Sequence, residues 1–496
     1  MTTSTQSTTE ENKKVEYRKQ EVEQAVKSAC DQMRYDGVPP RDYAEQLSWL
    51  FFLKAFEESE NQREEESAFD DSGYQRRLDG EFRWSSWAKQ TDRADEMLAF
   101  VNGKLWPKLQ QLGDDPLAER FRRIFSTVKN HQSRSSSFAR VVAQIDKLHF
   151  NDRTDIIVLS KIYEDLLKDV AQVAGYAGEF YTPRHIIRAM VQVVAPRLGD
   201  RVYDPCFGSA GFLSESADYI RRNRTSWSGE DLNQFHKKTF SGREMGPLAY
   251  LMGTMGMLLH DVHDPALELV NTLELHDSNP SESVRQTVIL ANPPYGGKMP
   301  TQLQTNFTIR SGATEVLFLQ HIMTSLARGG RAAVVVPEGV LFRGGPDQKV
   351  REKLLTEFNV HTVLSLPAGC FLPYTGVKTN ILFFNREENE RGTESIWYYD
   401  LTNDGFELKQ TRRPIAGDQL PDFLSKWRER VLGDNSWIVD IEEIKNRGGD
   451  ISAINPHRKN DYEHQPVLKL VQSIKTKEER ILALLDELGD LLEGGR

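Results

Sequence analysis

The spacing of apolar residues divides the chain into two parts of different architecture. From about residue 15 to residue 173, apolar positions recur at helical intervals, as in the run from Tyr43 to Leu53, and strand-like alternation is scarce. This spacing predicts an all-helical domain. The aromatic run within it is typical of a buried core helix, an interpretation that we favour over direct contact with a ligand.

After Gly175 the pattern changes to short apolar runs that alternate with helical segments. Apolar runs on alternate elements are typical of parallel strands that helices cover on both faces. The sequence therefore predicts an α/β, doubly wound Rossmann-like sheet, in which ligands bind beyond the carboxyl ends of the strands. The runs Ile381–Asn385 and Ile396–Tyr399 are predicted to close the sheet near one edge. The other predicted strands are Arg201–Asp204, Thr287–Ala291, Arg331–Val336 and Thr362–Leu366.

These patterns predict four regions: a disordered tail over residues 1–14, the helical domain over 15–174, the α/β domain over 175–455, and a C-terminal helical segment over 456–496. Along the last region a stripe of mainly apolar residues follows steps of four and three, which places the stripe on one seam of a helix. Such a stripe requires burial, either against its own chain or against a partner. Its members are Val467, Val471, Ile474, Glu478, Ile481, Leu485, Leu488 and Leu492.

Composition excludes several classes of protein. No run of about 20 apolar residues could span a bilayer, so we expect no association with a membrane. The N-terminus lacks the apolar core of a secretory signal. The three cysteines lie far apart, which argues against a disulfide framework and against structural zinc. We therefore expect a cytoplasmic protein without a bound metal.

A glycine-containing turn follows the first predicted strand and opens a helix. Its residues Asp204, Gly208, Ser209, Ala210 and Gly211 are candidates for binding a nucleotide-like cofactor, because the two glycines let backbone and ligand approach closely. A tight turn without a ligand is the alternative. A dinucleotide fold is disfavoured because the GxGxxG pattern is absent.

An acidic residue is expected at the end of the second strand, where its carboxylate can accept hydrogen bonds from both ribose hydroxyls. We predict Asp231 for this role, in preference to Glu230, because both follow the segment Trp227–Gly229 at a suitable distance from the glycine turn. The alternative for Asp231 is a helix cap.

Asn292, Pro293, Pro294 and Tyr295 follow the predicted strand Thr287–Ala291, at the same edge of the sheet as the glycine turn. The two prolines fix the backbone. On such a turn the Asn292 side-chain oxygen and the Pro293 carbonyl could both accept hydrogen bonds from one planar NH2 group, which would polarise its nitrogen towards an electrophile. Tyr295 could stack on the ring that carries the amine, as expected for a base flipped out of a duplex. An ordinary Pro-Pro turn is a weaker alternative beside the glycine turn.

Four motifs occur in a fixed order: Glu179–Arg184, Asp204–Phe212, Ala291–Gly297 and Gly330–Phe342. Together they resemble the modification subunits of type I restriction-modification systems, which transfer the methyl group of S-adenosyl-L-methionine (AdoMet) to the N6 amine of adenine in DNA. The resemblance runs from the helical domain through at least Asn385. It implies an AdoMet-dependent methyltransferase domain.

The resemblance also implies residue roles. Asn292, Pro293, Pro294 and Tyr295 match the catalytic tetrapeptide, Gly208–Gly211 match the turn beneath AdoMet, and Asp231 matches the ribose-binding acid. Where the family has an aspartate after the third strand, this chain has Asn271, so an amide would contact the cofactor's adenine; Asp277 is a substitute if the alignment differs. The segment that covers the methionine moiety matches Glu179, Phe180, Tyr181, Thr182, Pro183 and Arg184.

The partners implied by the resemblance are double-stranded DNA, a specificity subunit bound by two modification chains, and a nuclease/translocase subunit. In the family, C-terminal helices pack against the specificity subunit. The net charge of −10 opposes binding to DNA phosphates. Either a local basic face compensates, or the partner supplies much of the DNA contact. The candidates for such a face are Lys298, Arg310, Arg343 and Arg351.

Three other functions compete with this interpretation. The tetrapeptide also resembles that of enzymes that methylate another planar amine, a glutamine side chain in a protein. A non-enzymatic AdoMet-binding scaffold is disfavoured because all four residues of the tetrapeptide are present. A self-sufficient methyltransferase is disfavoured because the chain after Asn385 leaves little room for a recognition domain.

Overall fold

The computed structural model describes residues 20–70, 74–113, 116–148, 182–389, 391–458, 475–482 and 484–485. The predicted N-terminal tail, the residues Glu179, Phe180 and Tyr181, and most of the C-terminal stripe lie outside these ranges. Among the residues described, no helix is both long enough and apolar enough to cross a membrane.

The N-terminal part of the described chain is helical, as predicted. Its aromatic core is built around Trp49 and Phe52, which are fully buried. Trp49 packs edge-on against Trp106 with ring centroids 5.1 Å apart, and Phe52 lies 5.0 Å from Phe121. The prediction of a buried core helix for Tyr43–Leu53 is therefore confirmed. The α-helices of this part are α1 (20–35), α2 (Tyr43–Asp70), α3 (Trp84–Trp87), α4 (Ala94–Phe100), α5 (Trp106–Leu109), α6 (Pro116–Thr127) and α7 (Ser135–Asp146).

The second part contains a mixed sheet whose described strands have the order β3-β2-β1-β4-β5-β7-β6-β8-β9. Strands β1 to β5 are mutually parallel, so their carboxyl ends meet at one edge. The strands are β1 (Val202–Asp204), β2 (Phe240–Glu244), β3 (Ala266–Leu269), β4 (Gln286–Ala291), β5 (Leu326–Pro337), β6 (Asn359–Ser365), β7 (Thr379–Asn385), β8 (Ser395–Asp400) and β9 (Ser436–Asp440).

Strand β7 is antiparallel and lies between β5 and β6. The prediction that Ile381–Asn385 closes the sheet near an edge is wrong, because this run is paired on both sides. Strand β8 lies closer to the edge, where it pairs with β9. The predicted α/β doubly wound class is confirmed, with this antiparallel strand inserted into it.

Helices cover both faces of the sheet and bury its apolar side chains in two separate clusters. On one face the helical N-terminal part packs against the sheet domain, because α2 contacts the helix Pro247–Leu259. The helices that follow or connect the strands are α8 (Arg184–Val194), α9 (Gly211–Arg222), α10 (Gly229–Lys237), α11 (Pro247–Leu259), α12 (Thr301–Gln304), α13 (Thr314–Ser325), α14 (Gly339–Phe342), α15 (Pro346–Glu357), α16 (Leu420–Lys426), α17 (Ile441–Asn446) and α18 (475–482).

Candidate active site

The glycine turn connects β1 to α9 at the carboxyl edge of the sheet. Gly208 has φ +52° and Ala210 has φ +60°, which lie in the left-handed region. Glycine adopts this region without strain, whereas alanine does so rarely. The Ala210 amide donates to the Phe207 carbonyl at 2.7 Å, and the Phe207 amide donates to the Arg243 carbonyl at 3.2 Å. The turn is therefore tied both to itself and to strand β2.

Neighbouring glycines leave room for this turn. A Cβ on Gly253 of α11 would lie 2.5 Å from the Phe207 ring and 2.9 Å from the Gly208 carbonyl oxygen. A Cβ on Gly211 would lie 2.7 Å from the Ile187 side chain. These distances are shorter than van der Waals contact, so α8 and α11 approach the turn as closely as glycine permits.

Asp204 lies at the end of β1 and is almost fully buried. One of its carboxyl oxygens accepts a hydrogen bond from the Cys206 amide at 3.0 Å. Burial raises the pKa of Asp204 to about 8, and the nearby charge of Glu244 acts in the same direction. Asp204 is therefore largely protonated at neutral pH, and it supports the turn without adding a second negative charge.

Asp231 does not follow the second strand. It lies in the first turn of α10, where its side chain and that of Ser228 form a capping box: the Ser228 amide donates to Asp231 at 2.9 Å, and the Asp231 amide donates to the Ser228 hydroxyl at 3.1 Å. Arg224 also donates to its carboxylate at 2.6 Å. The predicted position of Asp231 at a strand end is thus wrong, and its structural role is the helix cap that was the alternative.

Glu244 is the acidic residue at the carboxyl end of the second strand. Its Oε2 accepts a hydrogen bond from the Gly208 amide at 3.0 Å, and its Oε1 accepts from the amides of Met245 and Gly246, both at 2.8 Å. Sequence analysis missed it because Phe240–Glu244 is not an apolar run. Pro247 directly downstream, at a helix start, was the available signal that a strand ends here.

Asn271 follows β3, as predicted. Its Oδ1 accepts from the Leu273 amide at 3.1 Å, and its Nδ2 donates to Glu274 at 2.9 Å. The Thr272 hydroxyl donates to the Pro205 carbonyl at 2.5 Å, so the loop after β3 is fastened to the glycine turn.

The Asn292–Tyr295 tetrapeptide begins where β4 ends. The Asn292 Nδ2 donates to the Thr182 hydroxyl at 2.9 Å. Its Oδ1 accepts a hydrogen bond from the Tyr295 hydroxyl. Burial raises the pKa of Tyr295, so the phenol keeps its proton for this bond. The asparagine oxygen is thus placed on a rigid turn, where it can accept an N–H or O–H from an incoming group.

The tetrapeptide is fixed from the side of α13. The Gly296 amide, directly after the tetrapeptide, donates to Glu315 at 3.2 Å. The Pro293 ring is buried, whereas Pro294 is exposed. The turn is therefore anchored to the protein on the side of Pro293 and Gly296, and it is exposed on the side of Pro294.

The structure brings together Thr182, Asn292 and Tyr295 through direct hydrogen bonds, and the turn Gly208–Gly211 lies at the same sheet edge because β1 pairs with β4. Arg184 donates to the Ser214 hydroxyl of α9 at 3.2 Å, which joins the Thr182–Arg184 segment to the helix that starts at the glycine turn. The three preceding residues of the predicted cofactor cover lie outside the described ranges.

Next to the segment Thr182–Arg184 lies a cluster of polar side chains around the buried carboxylate of Asp404, which was not predicted from the sequence. His185 Nε2 and Asp404 Oδ2 are 3.0 Å apart, the Cys370 thiol donates to Asp404 at 3.2 Å, and one guanidinium nitrogen of Arg412 lies 2.6 Å from both Asp404 oxygens. Burial would raise the pKa of Asp404, but the hydrogen bonds from His185 and Arg412 outweigh it and lower that pKa to about 2. No spacing rule connects four residues so far apart in the sequence.

His185, Cys370 and Asp404 could each offer one ligand atom to a metal, because these atoms lie within 4.8 Å of one another. The guanidinium of Arg412 already neutralises the Asp404 carboxylate, however, and would repel a cation at this point. The cluster is therefore better described as an ion-pair network than as a metal site.

Of the four candidate residues for a basic face, Lys298, Arg310 and Arg343 are exposed in the loops that follow β4 and β5. Arg351 is buried and donates to the carbonyls of Val340, Arg343 and Gly449. The prediction that Arg351 contributes to such a face is wrong, because its charge is used to fix the α14 loop.

The fold and the arrangement at this edge are those of a methyltransferase. A model of the family described as N-6 DNA Methylase matches residues 154–465, and a model described as HsdM N-terminal domain matches residues 22–145.

Known proteins agree with these matches. The chain is 33% identical to the EcoEI methylase subunit of a type I restriction enzyme from Escherichia coli, over 95% of this chain and 97% of that protein. A solved modification subunit of a type I restriction enzyme from Vibrio vulnificus YJ016 is 32% identical, with a TM-score of 0.80 over 90% of this chain and 99% of that one. A structure from a study of complex assembly in the type I R-M system is 38% identical, with a TM-score of 0.73 over 95% of this chain and 98% of that one.

The chain therefore belongs to the N-6 DNA methylase family, as a modification subunit of the type I restriction-modification class. The resemblance predicted from the four sequence motifs is confirmed.

Proposed function

We propose that this chain transfers the methyl group of AdoMet to the N6 amine of adenine in specific sites of double-stranded DNA. The observation that carries the proposal is the position of Asn292, whose side-chain oxygen is held on a double-proline turn at the end of β4, beside the glycine turn after β1. A hydrogen-bond acceptor in this place suits a planar amine.

The residues around the glycine turn fit the cofactor. Gly208 and its close neighbour Gly253 leave the backbone free of side chains. Glu244 accepts hydrogen bonds from three backbone amides, among them that of Gly208 in the turn. Its carboxylate would bind the ribose hydroxyls of a cofactor held by this turn. Asn271 would contact the adenine ring, and the segment Glu179–Arg184 would cover the methionine moiety.

On the acceptor side, the protein has to polarise and align the amine. The Asn292 Oδ1 and the Pro293 carbonyl would accept the two N–H groups of adenine, so that the nitrogen lone pair points towards the methyl group. AdoMet, when bound, would supply an activated methyl on a sulfonium. A nitrogen–carbon bond would form as the sulfur–carbon bond broke, and the amine would release one proton to water. Alignment of this kind lowers barriers by as much as about 7–11 kcal/mol.

The Tyr295 hydroxyl uses one of the two acceptor positions of the Asn292 oxygen, so both positions would be open to the amine only after Tyr295 releases this contact. Its ring would then be free to stack on the flipped base. Stacking of a base on an aromatic side chain contributes about 1–3 kcal/mol, which would compensate for the lost hydrogen bond.

The proposed partners are the specificity subunit, shared by two modification chains, and the nuclease/translocase subunit of the restriction complex, acting in the cytoplasm. Ile481 and Leu485 of the predicted C-terminal stripe are 57% and 59% exposed, which leaves that seam available for a partner helix. The acidic net charge supports a division of labour in which the specificity subunit makes much of the DNA contact.

Product analysis tests this function. The complex reconstituted with its specificity subunit is incubated with methyl-labelled AdoMet and unmodified DNA, and the DNA is digested to nucleosides. We expect label in N6-methyladenine. In the Asn292→Ala variant we expect a rate at least about 100-fold lower, with AdoMet affinity by calorimetry within a few-fold of wild type. Label in protein glutamine, with none in DNA, would contradict the proposal.

A further inference from the structure

The amide of Asn292 lies between two hydroxyl groups that belong to different elements. Its nitrogen donates to Thr182, in the segment before α8, at 2.9 Å, and its oxygen accepts from Tyr295, three residues further along the same turn. The two ends of this amide are therefore fixed independently. Only the Tyr295 contact is made by the oxygen that would receive an amine, and this oxygen has a second acceptor position for it.

The orientation of this amide matters because its two ends have nearly the same shape and opposite hydrogen-bonding character. An exocyclic adenine amine offers N–H groups, so only the amide oxygen can receive it. An amide turned by 180° would present its own N–H groups to the amine and would repel it. A partner that accepts a hydrogen bond from Nδ2 keeps the oxygen on the substrate side.

We propose that Thr182 is a positioning residue that sets the orientation of the catalytic amide of Asn292. The inference rests on the proposed methyl transfer to an amine. It assigns to Thr182 a second role, beyond the cofactor cover predicted from the sequence, and this role acts on the acceptor.

Thr182 can act in this way because the chain around it is held at several points. Arg184 donates to Ser214 of α9 at 3.2 Å. His185 is bound to the buried carboxylate of Asp404 at 3.0 Å, and the His185 ring stacks on Phe406 with centroids 4.7 Å apart. These contacts fix the first turn of α8, and with it the position of the Thr182 hydroxyl.

The anchor of this arrangement is the ion pair between Asp404 and Arg412. Arg412 lies 2.6 Å from both Asp404 oxygens and also donates to the Cys370 carbonyl, so it joins the loop after β8 to the loop after β6. The Asp404 side chain is completely buried. The cluster would therefore affect the reaction without touching the substrate. Its ion pair fixes His185, and His185 fixes the segment that carries Thr182.

Thr182→Val and Thr182→Ser form a matched pair for the test. Valine has nearly the shape of threonine but no hydroxyl, whereas serine keeps it. In the complex with the specificity subunit, we expect kcat for methyl transfer to fall about tenfold or more in Thr182→Val, since the partly buried amide of Asn292 loses the hydrogen bond that fixes its orientation. Thr182→Ser should recover most of this loss. Because Thr182 also belongs to the segment proposed to cover AdoMet, kcat is measured at saturating AdoMet, and the AdoMet dissociation constant of each variant is determined by calorimetry.

Combining Thr182→Val with Asn292→Asp distinguishes an effect on the orientation of the Asn292 amide from a general structural effect of the Thr182 substitution. In Asn292→Asp both side-chain atoms are acceptors, so no amide orientation remains to be fixed. If residual activity is followed in single-turnover assays, the loss caused by Thr182→Val should largely disappear in this background. An equal loss in both backgrounds would overturn the inference, and so would an unchanged kcat in Thr182→Val.

His185 gives a third, independent comparison. His185→Gln retains a side-chain N–H near the position of Nε2, whereas His185→Ala has none. We expect His185→Ala to lower kcat several-fold with little change in the KM for DNA, and His185→Gln to recover most of it. Failure of the wild-type complex to produce N6-methyladenine would count against the proposed function itself, whereas activity that is insensitive to Thr182 would count only against this inference.

Discussion

Glu244 and Asp231 are both acidic residues close to the start of a helix, but their carboxylates contact different parts of the chain. Glu244 binds the Gly208 amide of the glycine turn, whereas Asp231 binds Ser228 and Arg224 next to its own helix. Only Glu244 is therefore in a position to contact a ligand held by that turn.

We predict that Glu244→Gln weakens AdoMet binding by about 1–3 kcal/mol, because charge-assisted hydrogen bonds to the ribose and to the turn are lost. Asp231→Asn is the control: it should leave AdoMet affinity within about twofold and lower the melting temperature slightly, because the helix cap is weakened. Calorimetry with AdoMet and thermal melts measure both. Weaker AdoMet binding in Asp231→Asn with none in Glu244→Gln would restore the prediction made from the sequence.

The contiguous motifs of the site could be predicted from the sequence, because Asn292–Tyr295 and Asp204–Gly211 each lie within one turn. Residues that lie at the site but belong to distant parts of the sequence could not be predicted. Glu244 ends a strand whose inner residues Ser241, Gly242 and Arg243 show no apolar run. Arg351 looks like a surface cation in the sequence, but three carbonyl groups bind it inside the protein.

At the level of elements, α11 illustrates how a helix can determine the space available to a neighbouring turn. Its glycines face the glycine turn, and a Cβ on Gly253 would press on both Phe207 and the Gly208 carbonyl. In an exposed helix alanine would be favoured over glycine by about 1 kcal/mol. Here contact with the turn decides the choice of residue.

We predict that Gly253→Ala lowers the free energy of unfolding by about 1–3 kcal/mol, since the added methyl group overpacks the core. AdoMet affinity should fall at least about fivefold, because the turn is displaced. Gly229→Ala is the matched control, as a Cβ there meets no atom within 4 Å. Denaturant unfolding and AdoMet titration would show the difference, and equal behaviour of the two variants would refute the role given to α11.

The strands that could be predicted are those with continuous apolar runs, namely β1, β4, β5, β6, β7 and β8. The order of these strands in the sheet could not be predicted, because the pairing of β7 with β5 and β6 depends on contacts between residues distant in the sequence. Strands β2, β3 and β9 were not predicted, because polar or partly exposed positions interrupt their apolar residues.

For the whole molecule, the distribution of charge and the exposure of Ile481 and Leu485 on the predicted C-terminal stripe both agree with the proposed association with other subunits. The net charge is −10, yet Lys298, Arg310 and Arg343 are exposed in the loops beside the catalytic turn. Under the proposed function, these cations would guide DNA to the site, while sequence-specific contacts would come from the specificity subunit.

We predict that deletion from Val467 onward abolishes co-purification with the specificity subunit, because the apolar seam is removed, while AdoMet binding and the thermal melt of the remaining chain are unchanged. Ile481→Asp with Leu485→Asp should weaken the complex in the same way in the full chain. Glu479→Ala, off the seam, is the control. A truncated chain that still assembles and methylates specific sites would disprove this assignment.

The insertion of β7 also sets an order of events during synthesis. Strands β5 and β6 leave the ribosome one after the other but never pair, because Thr379–Asn385 must come to lie between them. Until those residues are available, β5 is an open edge with free backbone N–H and C=O groups on a hydrophobic half-sheet. Open edges of this kind recruit other chains. We therefore expect the nascent protein to be prone to aggregation until β7 has been translated, and chains that stop before residue 379 to aggregate more than the full chain.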